Sequence, residues 1–355
     1  MNAGLLTRPR RRIPPSNAAN APALMQLLMY GSMVAVLWLG GRQVIGGTME
    51  IGALSSFITY IMQILMSLMM LSFLFVSFVM AKASIARICE VLDEEPEIES
   101  PRQAETKVAD GSVVFDHVGF SYTGDKSNLT LTDINCAIRA GETIGVIGGT
   151  GSAKSTLVSL IPRLYDVTCG RVLVGGRDVR EYDIHALRDQ VAMVLQKNVL
   201  FSGSIKENLR WGDANATDAE ITAACQASAA DEFVRALPGG YDMDLGQGGV
   251  NVSGGQKQRL CIARALLKKP KIIIFDDATS AVDTATDARI RAALRDTMPE
   301  TTKIIIAQRI TSVMDADRII VLNDGQIVDM GAHDELMARC EIYREVYTSQ
   351  QKGVA

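Results

Sequence analysis

The sequence predicts an α/β protein in which a mostly parallel sheet follows two transmembrane helices. Three observations predict it. Two long stretches, Pro22 to Gly41 and Ile51 to Ala81, carry no charged side chain. From Gly111 onward, short apolar runs alternate with helical stretches, the pattern of a parallel sheet with helical connections. A glycine-rich turn beginning at Gly148 joins one of those runs to a helical stretch.

A bilayer-spanning helix needs about 20 apolar residues, and both uncharged stretches qualify. A fully buried soluble helix of the second one's length is the competing reading. Arg8, Arg10, Arg11 and Arg12 precede the first stretch, Lys82 and Arg87 follow the second, and the short connection holds only Arg42 and Glu50. Basic flanks stay in the cytoplasm, so both ends are expected inside and the connection outside. A solvated tail or an organellar presequence also fits the arginines, because no acid occurs before Glu50. Pro9, Pro14 and Pro15 disfavour the presequence by breaking an amphipathic helix there.

The expected division is a basic segment at 1–21, a partial membrane domain at 22–85 with helices at about 22–41 and 51–81, a linker at 86–108 and an α/β domain at 109–350. The linker begins as a helical extension and contains the acidic run Asp93-Glu94-Glu95 before Pro96. Val113 to Phe115 and Ile134 to Ile138 read as strands of an antiparallel element. Thr143 to Ile147, Val191 to Leu195, Ile272 to Phe275, Lys303 to Ala307 and Ile319 to Leu322 read as short buried strands.

With 355 residues, 48% of them hydrophobic and 21% charged, the chain has room for two or three domains and is not a disordered tail. A net charge of −4 gives a nucleic-acid partner no electrostatic support. The six cysteines form no CxxC pair, so reduced thiols fit better than a zinc site or a disulfide framework.

After the strand at Thr143 to Ile147 comes Gly148-Gly149-Thr150-Gly151-Ser152-Ala153-Lys154-Ser155-Thr156. This is one methyl group short of the phosphate loop GxxxxGK[ST], because Ala153 holds the last glycine's place. The chemistry of such a loop is inward-facing backbone amides, a helix start with partial positive charge, and a lysine reaching the outer phosphates. Ser155 is placed to ligate Mg²⁺. A bland strand-to-helix turn is the alternative. If the Ala153 position requires positive φ or very close phosphate approach, its methyl costs about 1 kcal/mol.

Val252-Ser253-Gly254-Gly255-Gln256, followed by a helical run from Lys257 to Leu267, resembles the LSGGQ signature of ATP-binding cassette proteins. Over about residues 22–350 the chain resembles the C-terminal portion of an ATP-binding cassette exporter of the fused membrane-plus-ATPase type. That resemblance implies a RecA-like core, an antiparallel β subdomain and a helical subdomain. It also implies ATP and Mg²⁺ as ligands, a multi-pass place in the plasma membrane with the ATP-binding domain in the cytoplasm, and lipid as a neighbour. It implies a partner half-transporter and an exported substrate that the sequence does not identify. Tyr122 matches the aromatic that stacks on adenine, and Gln196 the glutamine that senses Mg²⁺ and the attacking water. Asp276 matches the acid that holds Mg²⁺ through water. Ser280-Ala281-Val282-Asp283 matches the loop that crosses the dimer interface, and Gly246 to Asn251 the segment that couples to membrane helices. Ser253, Gly254, Gly255 and Gln256 match groups that reach the γ-phosphate held by the opposite subunit.

Two departures from the family fall on catalysis. A glutamate base normally follows the strand acid, and here the residue is Asp277, one methylene shorter. A histidine normally follows the next strand, and here it is Gln308, which donates a hydrogen bond but carries no proton away. The expectation is a weak own site and an intact signature that completes a partner's site, as in heterodimeric exporters. A third departure is the presence of two membrane helices where an exporter half has six, which suggests a truncated gene, a mis-assigned start or a split subunit. The competing readings are a clamp that binds ATP without hydrolysis and a soluble cassette ATPase of DNA repair or translation.

Overall fold

The structure is a computed structural model that describes residues 16–278 and 282–352. Arg8, Arg10, Arg11, Arg12, Ser280 and Ala281 lie outside the described residues. The chain divides between Pro96 and Glu97 into two compact units.

The first unit is two helices, α1 (Ser16–Ile45) and α2 (Ile51–Leu92). Both are long and apolar enough to cross a membrane, over Gln26–Ile45 in α1 and within α2. At 1.5 Å per residue α2 is about 63 Å long, roughly twice a hydrocarbon core. It continues past Ala81 because Lys82 to Leu92 contains no proline or glycine to stop it. Three of its hydroxyls turn back on the helix: Thr59 donates to Ser55 O, Ser67 to Gln63 O and Ser72 to Leu68 O at 2.8–2.9 Å. Those three hydroxyls are thereby satisfied within the helix itself. Gly40 lets the helices approach, since an added Cβ there would stand 2.3 Å from Leu54 Cδ1.

The second unit runs β1 (Val113–Phe120), β2 (Leu131–Ile138), β3 (Thr143–Ile147), α3 (Lys154–Ser159), β4 (Cys169–Val174), β5 (Arg177–Asp178), α4 (Ile184–Gln190) and β6 (Val191–Val194). It continues with α5 (Ile205–Arg210), α6 (Asp218–Ala227), α7 (Asp231–Ala236), α8 (Gly254–Leu267), β7 (Ile272–Asp276) and α9 (Thr284–Thr297). The last elements are β8 (Thr302–Ile306), β9 (Arg318–Asn323), β10 (Gln326–Gly331), α10 (His333–Arg339) and α11 (Glu341–Lys352).

Two sheets form. One is antiparallel, with strand order β2-β1-β4-β5; the other has order β10-β9-β3-β8-β7-β6 and is parallel except for its β9–β10 edge. β1 runs on from Phe115 to Phe120 through irregular register, and His117 sits there at φ 48°. That bulge interrupts the alternation of apolar residues, which is why the sequence pattern ends at Phe115. β8 lies one residue earlier than expected, because Ala307 leaves the ladder while its N–H still donates to Val146 O at 3.3 Å.

β7 shows why the large sheet folds as it does. Ile272, Ile273 and Ile274 are fully buried, and Phe275 nearly so. Alternate side chains enter different cores: Ile273 and Phe275 join the one packed against α6 and α8, while Ile272 and Ile274 join the one under β1 and β2. A parallel strand covered on both faces has to be apolar at every position. The consequence is positional. The loops after β3, β6, β7 and β8 leave the sheet at one carboxyl-terminal edge, where open α/β sheets bind ligands.

Candidate functional site

The loop after β3 is shaped by close approach and by positive φ. A Cβ at Gly148 would lie 2.1 Å from Leu322 O, so only glycine fits there. Gly151 has φ 84°, and Ala153, immediately before α3, has φ 66° and ψ 26°. A left-handed residue followed by a right-handed one turns successive N–H groups into one concavity, an anion nest. Lys154 lies across it: Nζ donates to Gly148 O at 2.9 Å, Gly149 O at 2.8 Å and Ser152 Oγ at 3.3 Å. Burial pulls its ammonium below the usual lysine range, and the nearby Asp276 and Asp277 carboxylates oppose that.

The condition set on Ala153 is therefore met. A left-handed backbone costs an L-residue about 1–2 kcal/mol, and glycine's added chain freedom returns about 0.5–1 kcal/mol of that. Ala153→Gly is expected to stabilise the domain by roughly 0.5 kcal/mol, a rise of about 2 °C in the unfolding midpoint. A lowered midpoint contradicts this.

The acid pair sits at the end of β7. Ser155 Oγ donates to Asp276 Oδ1 at 2.9 Å. A hydroxyl and a carboxylate side by side form a hard oxygen set that fits Mg²⁺. Burial raises Asp276, while Ser155 and Lys154 work against the rise. Asp277 is nearly buried, and its N–H donates to Ile306 O at 3.0 Å. Its Oδ2 accepts from Gln196 Nε2 at 3.0 Å and from Gln308 Nε2 at 2.7 Å. Burial pushes the Asp277 carboxyl up and the charge on Asp276 adds to this, while the two amides oppose it. The φ of Asp277 is 51°. Aspartate tolerates that left-handed slot better than most residues, so the backbone itself favours the shorter acid.

Tyr122 meets this cluster from the antiparallel sheet. Its hydroxyl is 2.9 Å from Thr156 Oγ1 on α3. Phe120 and Tyr165 pack edge-on against its ring, at centroid distances of 4.8 and 5.2 Å, and leave Tyr122 57% exposed. An exposed aromatic beside a phosphate-shaped loop offers a stacking surface.

Residues 131–280 match the family model described as ABC transporter. An uncharacterized ABC transporter ATP-binding protein of Bacillus subtilis (strain 168), YfiB, is 41% identical over 332 residues, which are 93% of this chain and 56% of that protein. An uncharacterized ABC transporter ATP-binding protein of Mycobacterium tuberculosis (strain ATCC 25618 / H37Rv) is 42% identical over 343 residues, 94% of this chain and 58% of the relative. The solved structure of a bacterial Atm1-family ABC exporter with ATP bound superposes with a TM-score of 0.79 at 34% identity, covering 94% of this chain and 57% of that one. The chain carries an ABC transporter ATP-binding domain. It spans a little over half the length of the relatives it matches.

Within this ABC domain the signature forms the start of α8. Ser253 is the N-cap: its Oγ accepts from Gln256 N at 3.3 Å, and its N–H donates to Gln256 Oε1 at 2.9 Å. This reciprocal box fixes the first turn, and Gly254 has open space around it. The loop, Gln196, Asp276, Asp277 and Gln308 gather at the carboxyl edge of the sheet. Among the hydrogen bonds between described residues, none joins Ser253, Gly254, Gly255 or Gln256 to that group. Asp283 caps α9, accepting from Thr286 N at 2.9 Å.

Two neighbours of the site escape sequence reasoning. Tyr165 buttresses Tyr122, yet follows α3 at no diagnostic spacing. Gln350, on α11, bonds the backbone beside Gln308. A carboxamide near the end of an amphipathic helix gives no signal of which backbone groups it bonds.

Proposed function

We propose that the chain is the ATP-binding subunit of an ABC exporter whose own site holds Mg·ATP well and hydrolyses it slowly. The observation behind this is the pair of amides on Asp277 Oδ2. Gln196 and Gln308 both donate to Oδ2, one of the two carboxylate oxygens available to take a proton from water. Gln308 fixes the carboxylate but has no titrating group to pass a proton on. The acid is also a methylene shorter than glutamate. A misplacement of about 1 Å costs on the order of 100-fold in rate.

The same residues support binding. Lys154 and the nest after β3 are suited to the outer phosphates, Ser155 and Asp276 to the metal, and the Tyr122 face to the base. Bound Mg²⁺ would neutralise phosphate charge there. The capped start of α8 is preorganised for a phosphate held by another subunit, so the signature is proposed to act in a partner half-transporter's site, with a heterodimer favoured. In that assembly Ser253→Ala is expected to leave Mg·ATP affinity of the isolated chain unchanged and to lower ATP turnover of the assembly by about tenfold, the loss of one hydrogen bond worth about 1.5 kcal/mol. A drop in the isolated chain's affinity contradicts the division of labour.

α1 and α2 are proposed to lie in the plasma membrane among lipid, with the ABC domain on the cytoplasmic side and the turn at Gly46 outside. A cysteine introduced at Gly46 is expected to react in intact cells with a membrane-impermeant thiol reagent, over the background of the unaltered chain. Protection of that cysteine contradicts the topology.

A further inference from the structure

We propose that Gln350, near the end of α11, is a positioning residue that holds Gln308 in place against Asp277. The role presupposes the nucleotide site proposed above. Gln350 Nε2 donates to Gln308 O at 2.6 Å, and Gln350 Oε1 accepts from Ile310 N at 2.9 Å. One carboxamide thus spans the main chain on both sides of Arg309. It replaces the strand partner that this segment lacks after leaving β8. An amide side chain donates through its nitrogen and accepts through its oxygen at once.

The clamp has a fixed base. Tyr343 is fully buried, and its hydroxyl is 2.8 Å from His333 Nδ1. Ile342, Val346 and Tyr347 pack against the core that includes Ala307 and Ile310. Tyr343, Val346, Tyr347 and Gln350 follow the i, i+3, i+4, i+7 spacing of one helix face, so the buried tyrosine sets the height and direction of the glutamine two turns later. Beyond the clamp, Gln308 Nε2 reaches Asp277 Oδ2 at 2.7 Å. The path from the C-terminal helix to the acid is therefore Gln350, the Gln308 backbone, the Gln308 amide and Asp277, with hydrogen bonds at both ends. Residues near the end of the chain set the angle at which the Gln308 amide faces the phosphate edge of the sheet.

The test uses the full chain and two variants. Gln350→Met keeps the length and loses both bonds; Gln350→Glu keeps the acceptor for Ile310 N and loses the donor to Gln308 O. Amide hydrogen exchange at Ile310 is expected to quicken about tenfold or more in Gln350→Met and to stay near the unaltered value in Gln350→Glu, with exchange around Tyr343 unchanged in both. In equilibrium titration, Gln350→Met is expected to weaken ATP about fivefold with ADP unaffected, because the Gln308 amide is suited to the terminal phosphate. On a Gln308→Ala background the same change is expected to have no further effect. In Gln350→Met, equal weakening of ATP and ADP, effects additive with Gln308→Ala, or unchanged exchange at Ile310 overturns the proposal. If the unaltered chain binds neither nucleotide, the nucleotide reading falls and the positioning role falls with it. Exchange at Ile310 then separates that failure from absence of the clamp.

Discussion

Replacing Asp277 by glutamate and Gln308 by histidine together is expected to raise ATP hydrolysis at this chain's own site by about 100-fold. The added methylene carries the carboxylate toward the water, and the imidazole replaces an amide with a group that titrates near neutral pH. The pair has to change together, because both side chains meet at Asp277 Oδ2. Asp277→Glu alone is expected to give less, since glutamate enters the left-handed backbone at φ 51° less readily than aspartate. Steady-state phosphate release at saturating Mg·ATP measures the effect, in the assembly with its partner. No gain in the double variant would mean that something other than these two side chains limits the site.

Lys154→Ala is expected to weaken Mg·ATP binding about 100-fold, as titration with a fluorescent nucleotide would read it. A lysine on phosphate oxygens makes charge-assisted bonds, each worth about 1.5–3 kcal/mol. Its ammonium now bonds Gly148 O, Gly149 O and Ser152 Oγ, so binding exchanges those contacts for phosphate rather than creating contacts from nothing. Burial has already stripped part of its water. Unchanged affinity would remove the loop after β3 from the site.

These expectations draw on features of unequal visibility. The four apolar residues of β7 were legible because a strand covered on both faces tolerates nothing else. The loop after β3 was legible because close approach at Gly148 and positive φ at Gly151 demand glycine there. At Ala153 the sequence posed the question and only the backbone answered it. The second half of β1 was hidden, because the bulge at His117 shifts the phase of the apolar pattern. What the acids do to each other was hidden as well. That Gln196 and Gln308 share one oxygen of Asp277 depends on the order β8-β7-β6, which brings together the ends of three strands far apart in sequence. The Gln350 clamp is the extreme case. It joins residues 42 apart, and although the spacing of Tyr343, Val346 and Tyr347 marks the face that carries Gln350, no pattern names the backbone groups that it bonds.

The central claim is that this site binds ATP and cuts it slowly. It is tested most directly by ATP turnover of the purified full chain at saturating Mg·ATP, with and without Asp277→Ala. The account predicts slow turnover that Asp277→Ala changes little. Fast turnover by the unaltered chain, abolished by Asp277→Ala, would contradict it.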